Sequence, residues 1–293
     1  MNPDDFLAAF SAMDEHAEVR EEYKRMPFSF AGNKSESLKH ILPRLPYLDS
    51  FVDVFGGSGV ITLNRRPSKL DVYNDRHSGV TAFFRVVRDK NRMQQLIERI
   101  ALTPHSREEF MWSRDTYYLV QNDEVELAAR WYVAMQSSFA GRGRFFGRVT
   151  QGKGNIWRKI QENLCLFNDV ADRFLTVQIE NLDFRNILKD YDSHGTVFVM
   201  DPPYIDKNIY DHMMSKKEHA EMCERIFQCK GFVALCGYNN DIYSKYPWDA
   251  IHTWEVGDKM TPMTTKTDTS IVKGRDLYRS ENQIEYLWIK EVH

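Results

Sequence analysis

The sequence predicts an α/β fold in which a helical, basic insert interrupts a parallel sheet. Three observations predict it. Short apolar runs alternate with helical spacing in both the first and last thirds of the chain. A glycine-rich turn follows the first of those runs directly. Between residues 91 and 170 the strand pattern stops, helical spacing takes over, and a glycine-punctuated loop follows.

The elements follow in order. Residues 1–26 carry seven acids and three bases, and Phe6, Ala9, Phe10 and Met13 fall at helical spacing, so an acidic amphipathic helix is expected there. Leu38, Ile41, Leu42 and Leu45 predict a short helix that Pro43 and Pro46 limit. Ser50–Phe55 reads as a buried strand and runs straight into Gly56-Gly57-Ser58-Gly59. Lys69–Tyr73 reads as a second strand, and Val80, Phe83, Phe84 and Val87 mark a helix after it. Residues 91–139 read as helices, with Leu127, Ala128, Trp131 and Met135 on one face. Strands resume at 175–180, 196–200, 231–236, 250–256 and 284–290. The division expected is an N-terminal helix at 1–26, a catalytic domain at 27–90 and 171–293, and an insert at 91–170.

Composition narrows the function. A chain of 293 residues with 42% hydrophobic residues buries a core without staples. The net charge of −3 excludes a uniformly basic nucleic-acid coat but allows a local patch. Cys165, Cys223, Cys229 and Cys236 form no CxxC pair, and the histidines offer no metal-ligand spacing, so no metal is expected. Few scattered thiols suit a reducing compartment. The first residues lack a basic, then apolar, leader, and no run approaches the ~18 apolar residues of a membrane span. A cytoplasmic protein without a membrane partner is expected, as a monomer or weak dimer.

Asp201-Pro202-Pro203-Tyr204 is the sharpest signal, directly after the apolar run 196–200. Two prolines stop the strand and throw a rigid turn at its carboxyl end, where α/β sheets bind ligands. Such a turn can offer a planar amine acceptors for its N–H groups and a ring for its face. It can also be a plain Pro-Pro turn capped by a tyrosine. The Asp53-Val54-Phe55-Gly56-Gly57-Ser58-Gly59 turn lets backbone approach a ligand, though a tight strand-to-helix turn reads the same way. It has neither dinucleotide nor phosphate-loop spacing. Asp75 ends the second strand, where an acid can hold ribose hydroxyls or cap a helix. From Arg130 to Lys159 there are seven bases and no acid, interleaved with aromatics. Arg142, Arg144, Phe145, Arg148 and Lys153 are therefore candidates for phosphate contact, base reading and base wedging. A second basic, Thr-rich stretch at 259–279 reads equally as a lid, a DNA-facing loop or plain surface.

Taken together these pieces resemble the Dam-like (D12 class) DNA adenine-N6 methyltransferases, with the motif order of the alpha group. The resemblance runs from Phe28 to about Trp288. Residues 28–38 resemble the family's aromatic-x-Gly-Gly-Lys motif, with Phe30 and Lys34 at the aromatic and lysine positions and Asn33 in place of the second glycine. Residues 52–64 resemble its F-x-G-x-G cofactor loop, and Asp75 falls at its ribose acid. Asp183 and Phe184 resemble the D-F step beside the cofactor adenine, and 201–204 is its catalytic tetrapeptide. Residues 137–155 resemble part of its target-recognition domain, and Lys217-Glu218-His219 a motif opening a later helix. The resemblance implies a class I S-adenosylmethionine-dependent methyltransferase (Rossmann-like) sheet with an inserted helical target-recognition domain. It implies methyl transfer to N6 of an adenine flipped out of double-stranded DNA, with Tyr204 stacking on the base and Asp201 and the Pro202 carbonyl accepting from its amino group. Cofactor binding falls to Phe30, Lys34, Asp53, Phe55, Gly56, Gly57, Gly59, Asp75, Asp183 and Phe184. The alternatives are a cytosine-N4 or RNA adenine methyltransferase, or a catalytically silent DNA-binding subunit.

Overall fold

The computed structural model describes residues 22–148, 156–205, 213–256 and 283–292. Most of the expected acidic helix, Lys153 and the 259–279 stretch lie outside the described residues. Among the described residues seven strands form one sheet in the order β3-β2-β1-β4-β5-β7-β6. They are β1 (Ser50–Asp53), β2 (Leu70–Asn74), β3 (Val177–Glu180), β4 (Thr196–Met200), β5 (Phe232–Gly237), β6 (Ala250–Val256) and β7 (Gln283–Lys290). The first five are parallel, and β7 runs antiparallel between β5 and β6. The class I methyltransferase sheet expected from the sequence is the one that forms.

The strands pair because both faces are covered. In β4, Val197 and Val199 face one core while Phe198 and Met200 face the other, and all five strand residues are buried. A parallel strand buried on both faces has to be apolar at every position, so it reads as a continuous run. The ten helices described, numbered along the chain, lie on and around the sheet. Leu38–Ile41 (α1) passes at Leu42–Arg44 into a 3-10 turn, where Pro43 removes a helical donor. Val60–Asn64 (α2) and Ser78–Val87 (α3) follow β1 and β2.

Lys90–Leu102 (α4), Arg107–Thr116 (α5) and Glu124–Gln136 (α6) come from the predicted insert. Asp89, Ser106 and Asp123 cap them, each accepting from a backbone N–H three residues on. Their apolar faces do not form a separate core. Trp131 and Tyr132 of α6 are fully buried with Phe83 and Phe84 of α3 in the cluster that also holds Tyr73 and Val199 of the sheet. Phe28 joins them edge-on, 5.1 Å from both Phe83 and Trp131. Ile156–Leu164 (α7) and Phe167–Phe174 (α8) return the chain to β3. Phe184–Asp190 (α9) and Lys216–Ile226 (α10) cover the other face. A reciprocal Ser215–Glu218 capping box starts α10 beside the Lys217-Glu218-His219 motif.

Candidate active site

A cavity opens at the carboxyl ends of β1, β2 and β4, where the strand order reverses between β1 and β4. That crevice is the one an open parallel sheet offers to a ligand. It encloses about 910 Å³, part of it open to solvent. Phe30, Lys34, Asp53, Phe55, Gly56, Gly57, Asp75, Asp201 and Pro203 all line it, so residues far apart in sequence meet around one cavity.

The glycine turn forms one wall. Gly57 and Gly59 take φ of +50° and +72°, which side chains resist. Gly56 packs on the buried Tyr73 ring so closely that a Cβ there would enter it. The Tyr73 hydroxyl in turn donates to the Gly57 carbonyl at 2.7 Å. Asp75 holds the same turn, because its Oδ2 accepts from Gly57 N at 2.8 Å and its Oδ1 from His77 N at 2.7 Å. Asp75 thus braces the turn and lines the cavity, while the cap of α3 is His77, whose Nδ1 accepts from Gly79 N at 3.1 Å, so the helix-cap reading of Asp75 does not hold. Phe30 lies over Gly57. Asn33 keeps ordinary backbone angles, and its Oδ1 accepts from Ser35 N at 2.9 Å and Ser35 Oγ at 2.7 Å. The left-handed residue of that motif is Gly32, at φ +79°, so losing the second glycine does not disturb the turn.

Asp53 is buried at the end of β1 and accepts from Thr62 Oγ1 at 2.8 Å. Burial pushes its pKa up to about 7 against that hydrogen bond, and the negative charges of Asp201 and Asp75 push the same way. A raised folded-state pKa favours folding below the unfolded value, and that gain is lost as pH rises through the folded one. Asp53→Asn, which keeps an acceptor for Thr62, is therefore expected to gain stability over the wild type as pH rises from 5 to 8. The gain expected is about 2 kcal/mol, or a few degrees in melting temperature. Melting curves whose separation stays constant over that range would show that Asp53 is ionised throughout.

Lys34 is the centre of the site. It is 4% exposed, and its Nζ lies 3.0 Å from Asp201 Oδ2, 3.3 Å from Glu285 Oε1 and 3.2 Å from the Gly32 carbonyl. Those three acceptors match the three protons of an ammonium group. Asp201 Oδ1 is buried and has no hydrogen-bond partner among the described residues. Burial raises the Asp201 pKa, Lys34 opposes the shift, and the Glu285 charge adds to it. For Glu285, burial works upward too, but Lys34 and the hydrogen bonds from Ser37 and Tyr204 leave it below the ordinary range.

Several expected residues sit elsewhere. Tyr204 does not line the cavity. Its ring is 6% exposed and edge-on to Tyr238 at 4.6 Å, and its hydroxyl donates to Glu285 Oε1 at 3.0 Å. The face expected to stack on a base is enclosed here because the phenol is tied to a buried carboxylate. Pro202 is buried beside it and does not line the cavity either. Gly59 lies behind the wall, against Phe84 and Phe174. Asp183 caps α9 through Arg185 N at 3.0 Å, and Phe184 packs behind Phe55 with ring centres 5.8 Å apart. Both are one layer removed from the cavity.

The glycine- and arginine-bearing loop closes on itself. Phe139 N donates to the Phe145 carbonyl and Gly147 N to the Ser137 carbonyl, each at 2.7 Å. Gly141 and Arg142 reach the cavity wall. The aromatic pair splits: Phe146 stacks on His105 at 4.9 Å, whereas Phe145 is 75% exposed. Arg148 is exposed, and Arg144 is half-buried with its carbonyl accepting from Arg114 at 3.1 Å. Glu285, His77 and Met135 also belong to the site or its wall, and the sequence reading did not single them out for it.

The model of the D12 class N6 adenine-specific DNA methyltransferases matches residues 30–255. The modification methylase LlaI of Lactococcus lactis subsp. lactis is 27% identical over 198 residues, which is 63% of this chain. The match covers 30% of that relative, so the chain spans about a third of its length. The family is defined by adenine N6, and the cytosine-N4 and RNA alternatives gain no support from either comparison. With the matched region running from Phe30 through the lysine, glycine-turn and Asp201 motifs to the sixth strand, the chain belongs to the D12 class N6 adenine-specific DNA methyltransferase family.

Proposed function

We propose that this chain methylates N6 of an adenine swung out of double-stranded DNA, with S-adenosylmethionine as the donor. The observation that carries the reading is the Asp201 carboxylate. It sits at a strand end in the cavity wall, with one oxygen on Lys34 and the other buried and without a hydrogen-bond partner among the described residues. A buried acceptor without a donor is costly unless a ligand supplies one.

The cavity chemistry fits the proposed cofactor. Asp53, Asp75 and Asp201 share the wall with Lys34 and Arg142, a mixed lining that suits a ligand bearing a sulfonium, a carboxylate and two ribose hydroxyls. Phe30 and Phe55 offer apolar surface beside them. When bound, S-adenosylmethionine supplies a methyl group already activated by its sulfur. The protein's work is then alignment and water exclusion. Asp201 Oδ1 accepts from the adenine amino group, orients its lone pair, and stands where the proton that leaves nitrogen can be taken. The base must leave the helix to reach the site, because N6 is otherwise held in the stack. The residues 91–170, with their exposed aromatics and arginines, supply the DNA-facing surface.

The test is incubation of duplex DNA with labelled S-adenosylmethionine, followed by nucleoside analysis. Label in N6-methyladenine is expected; label in cytosine alone, or none, overturns the reading. The arginines separate by role. Arg142→Ala is expected to affect turnover, because Arg142 lines the cavity. Arg144→Ala and Arg148→Ala are expected to act on DNA binding. A phosphate contact lowers the salt slope by about one unit, whereas a base reader costs about 1–3 kcal/mol at one target position. We expect at least one base reader among the three. Wild-type affinity and target preference in all three variants would make the loop ordinary surface.

A further inference from the structure

Glu285 comes from the last strand of the sheet and has no role in the reading above. It is 5% exposed and lies in register opposite Trp254 of β6. Three side chains contact it, and a fourth acts through one of them. Ser37 Oγ donates to its Oε2 at 2.6 Å, and Trp254 Nε1 donates to the same Ser37 Oγ at 3.1 Å. Lys34 Nζ is 3.3 Å from Oε1, and the Tyr204 hydroxyl donates to Oε1 at 3.0 Å. Lys34 also lies over the Tyr204 ring, 4.8 Å from its centre.

One carboxylate is enough to neutralise a buried lysine, and Asp201 provides it. A second buried carboxylate costs desolvation and repels the first. Its value lies in geometry. Glu285 stands on an antiparallel strand pair, a more rigid base than the turn that carries Asp201 or the loop that carries Lys34. Through Oε1 it holds the lysine on one side and the tetrapeptide's tyrosine on the other. We propose that Glu285 is a positioning residue for the reaction: it clamps Lys34 to Tyr204, so that Lys34 engages Asp201 Oδ2 and leaves Oδ1 for the substrate amine. The proposal rests on the reading of Asp201 given above.

The clamp has an electrostatic signature. The charged and titratable groups that act on or around Asp201 are Lys34, Glu285, Asp53, Tyr204, Cys236 and Tyr243, and Asp75, His77 and Arg142 line the same cavity. Lys34 is the cation in contact with it, at 3.0 Å. In Glu285→Gln one negative charge leaves that set while the side-chain shape stays, so Asp201 ionises at lower pH. Turnover that needs ionised Asp201 then keeps its rate to lower pH.

The experiment measures kcat and KM for both substrates across pH 5–9 in the wild type and E285Q, using N6-methyladenine as the product. We expect kcat at pH 8 to fall about tenfold, KM for S-adenosylmethionine to stay within about twofold, and the acid limb to move down by about half a unit or more. A merely structural Glu285 would lower the melting temperature and leave kcat at pH 8 within about twofold of the wild type, even though loss of its charge moves the limb. If E285Q does not fold, Ser37→Ala decides, because it loosens Glu285 without changing charge. A threefold or larger drop in kcat with unchanged cofactor KM supports the clamp, and wild-type kinetics overturn it. No N6-methyladenine from the wild type overturns the assigned reaction and this proposal together. Methylation by the wild type with an E285Q kcat at pH 8 within about twofold of it overturns the clamp alone.

Discussion

Replacing Asp201 with alanine is expected to lower methyl transfer by about 10²–10³-fold, the usual cost of one well-placed group that stabilises developing charge. Cofactor affinity should change far less. Asp201 lines the cavity beside Asp53 and Asp75, and Asp75, not Asp201, holds the glycine turn. The substitution also leaves Lys34 with one carboxylate neighbour, Glu285, at 3.3 Å. That pair keeps the lysine neutralised, so the protein should stay folded. Single-turnover rates on a duplex substrate, with calorimetry for the cofactor, check both halves. Turnover within threefold of the wild type would remove Asp201 from the chemistry.

The second large effect is expected at Gly56. A methyl group there points into the Tyr73 ring. The ring cannot retreat, because it is buried, lies 4.6 Å from Phe84 and 5.7 Å from Phe174, and is tied by its hydroxyl to Gly57. Overpacking of this kind costs about 1–3 kcal/mol. The turn is the softer party because it borders the cavity, although Gly56 N donates to the Asn74 carbonyl at 2.7 Å and Asp75 and Tyr73 hold Gly57. Gly56→Ala should therefore push the turn into the cavity and weaken S-adenosylmethionine binding at least tenfold, which is about 1.4 kcal/mol. A thermal melt and a binding isotherm separate the two costs. Unchanged affinity would show that the strain is absorbed by the aromatic core.

How much of this was legible in the sequence depended on the range of the signal. Strands buried on both faces are apolar throughout, and 196–200 and 231–236 stood out for that reason. The Asp201 turn and the glycine turn announce themselves through backbone chemistry, which is local. The direction of a side chain is not local. Nothing within residues 201–204 says that Tyr204 turns inward, because its hydroxyl partner lies 81 positions away. Asp183 followed the same logic, since an acid before a helix serves as a cap wherever no ligand competes for it. Glu285 left one trace that could have been used. It alternates with Leu287 and Ile289 along β7, so it shares their core-facing side, and a charge on such a side needs partners. The insert was read as a unit apart because its composition changes. Its helices nonetheless share the sheet's core through Trp131 and Tyr132.

The Lys34 centre also has a consequence for synthesis. Ser37 and Glu285, joined by one hydrogen bond, are 248 positions apart. A ribosome adding about 5–20 residues per second needs on the order of 10–50 s to travel from one to the other. Early in that interval the glycine turn and Asp75 join Lys34, and Asp201 joins them before β7 does. The nascent protein can thus hold most of a cofactor pocket before it holds the strand that carries Glu285. If the clamp acts as proposed, full activity arrives only when the last strand slides between β5 and β6, and an interrupted chain is released without it.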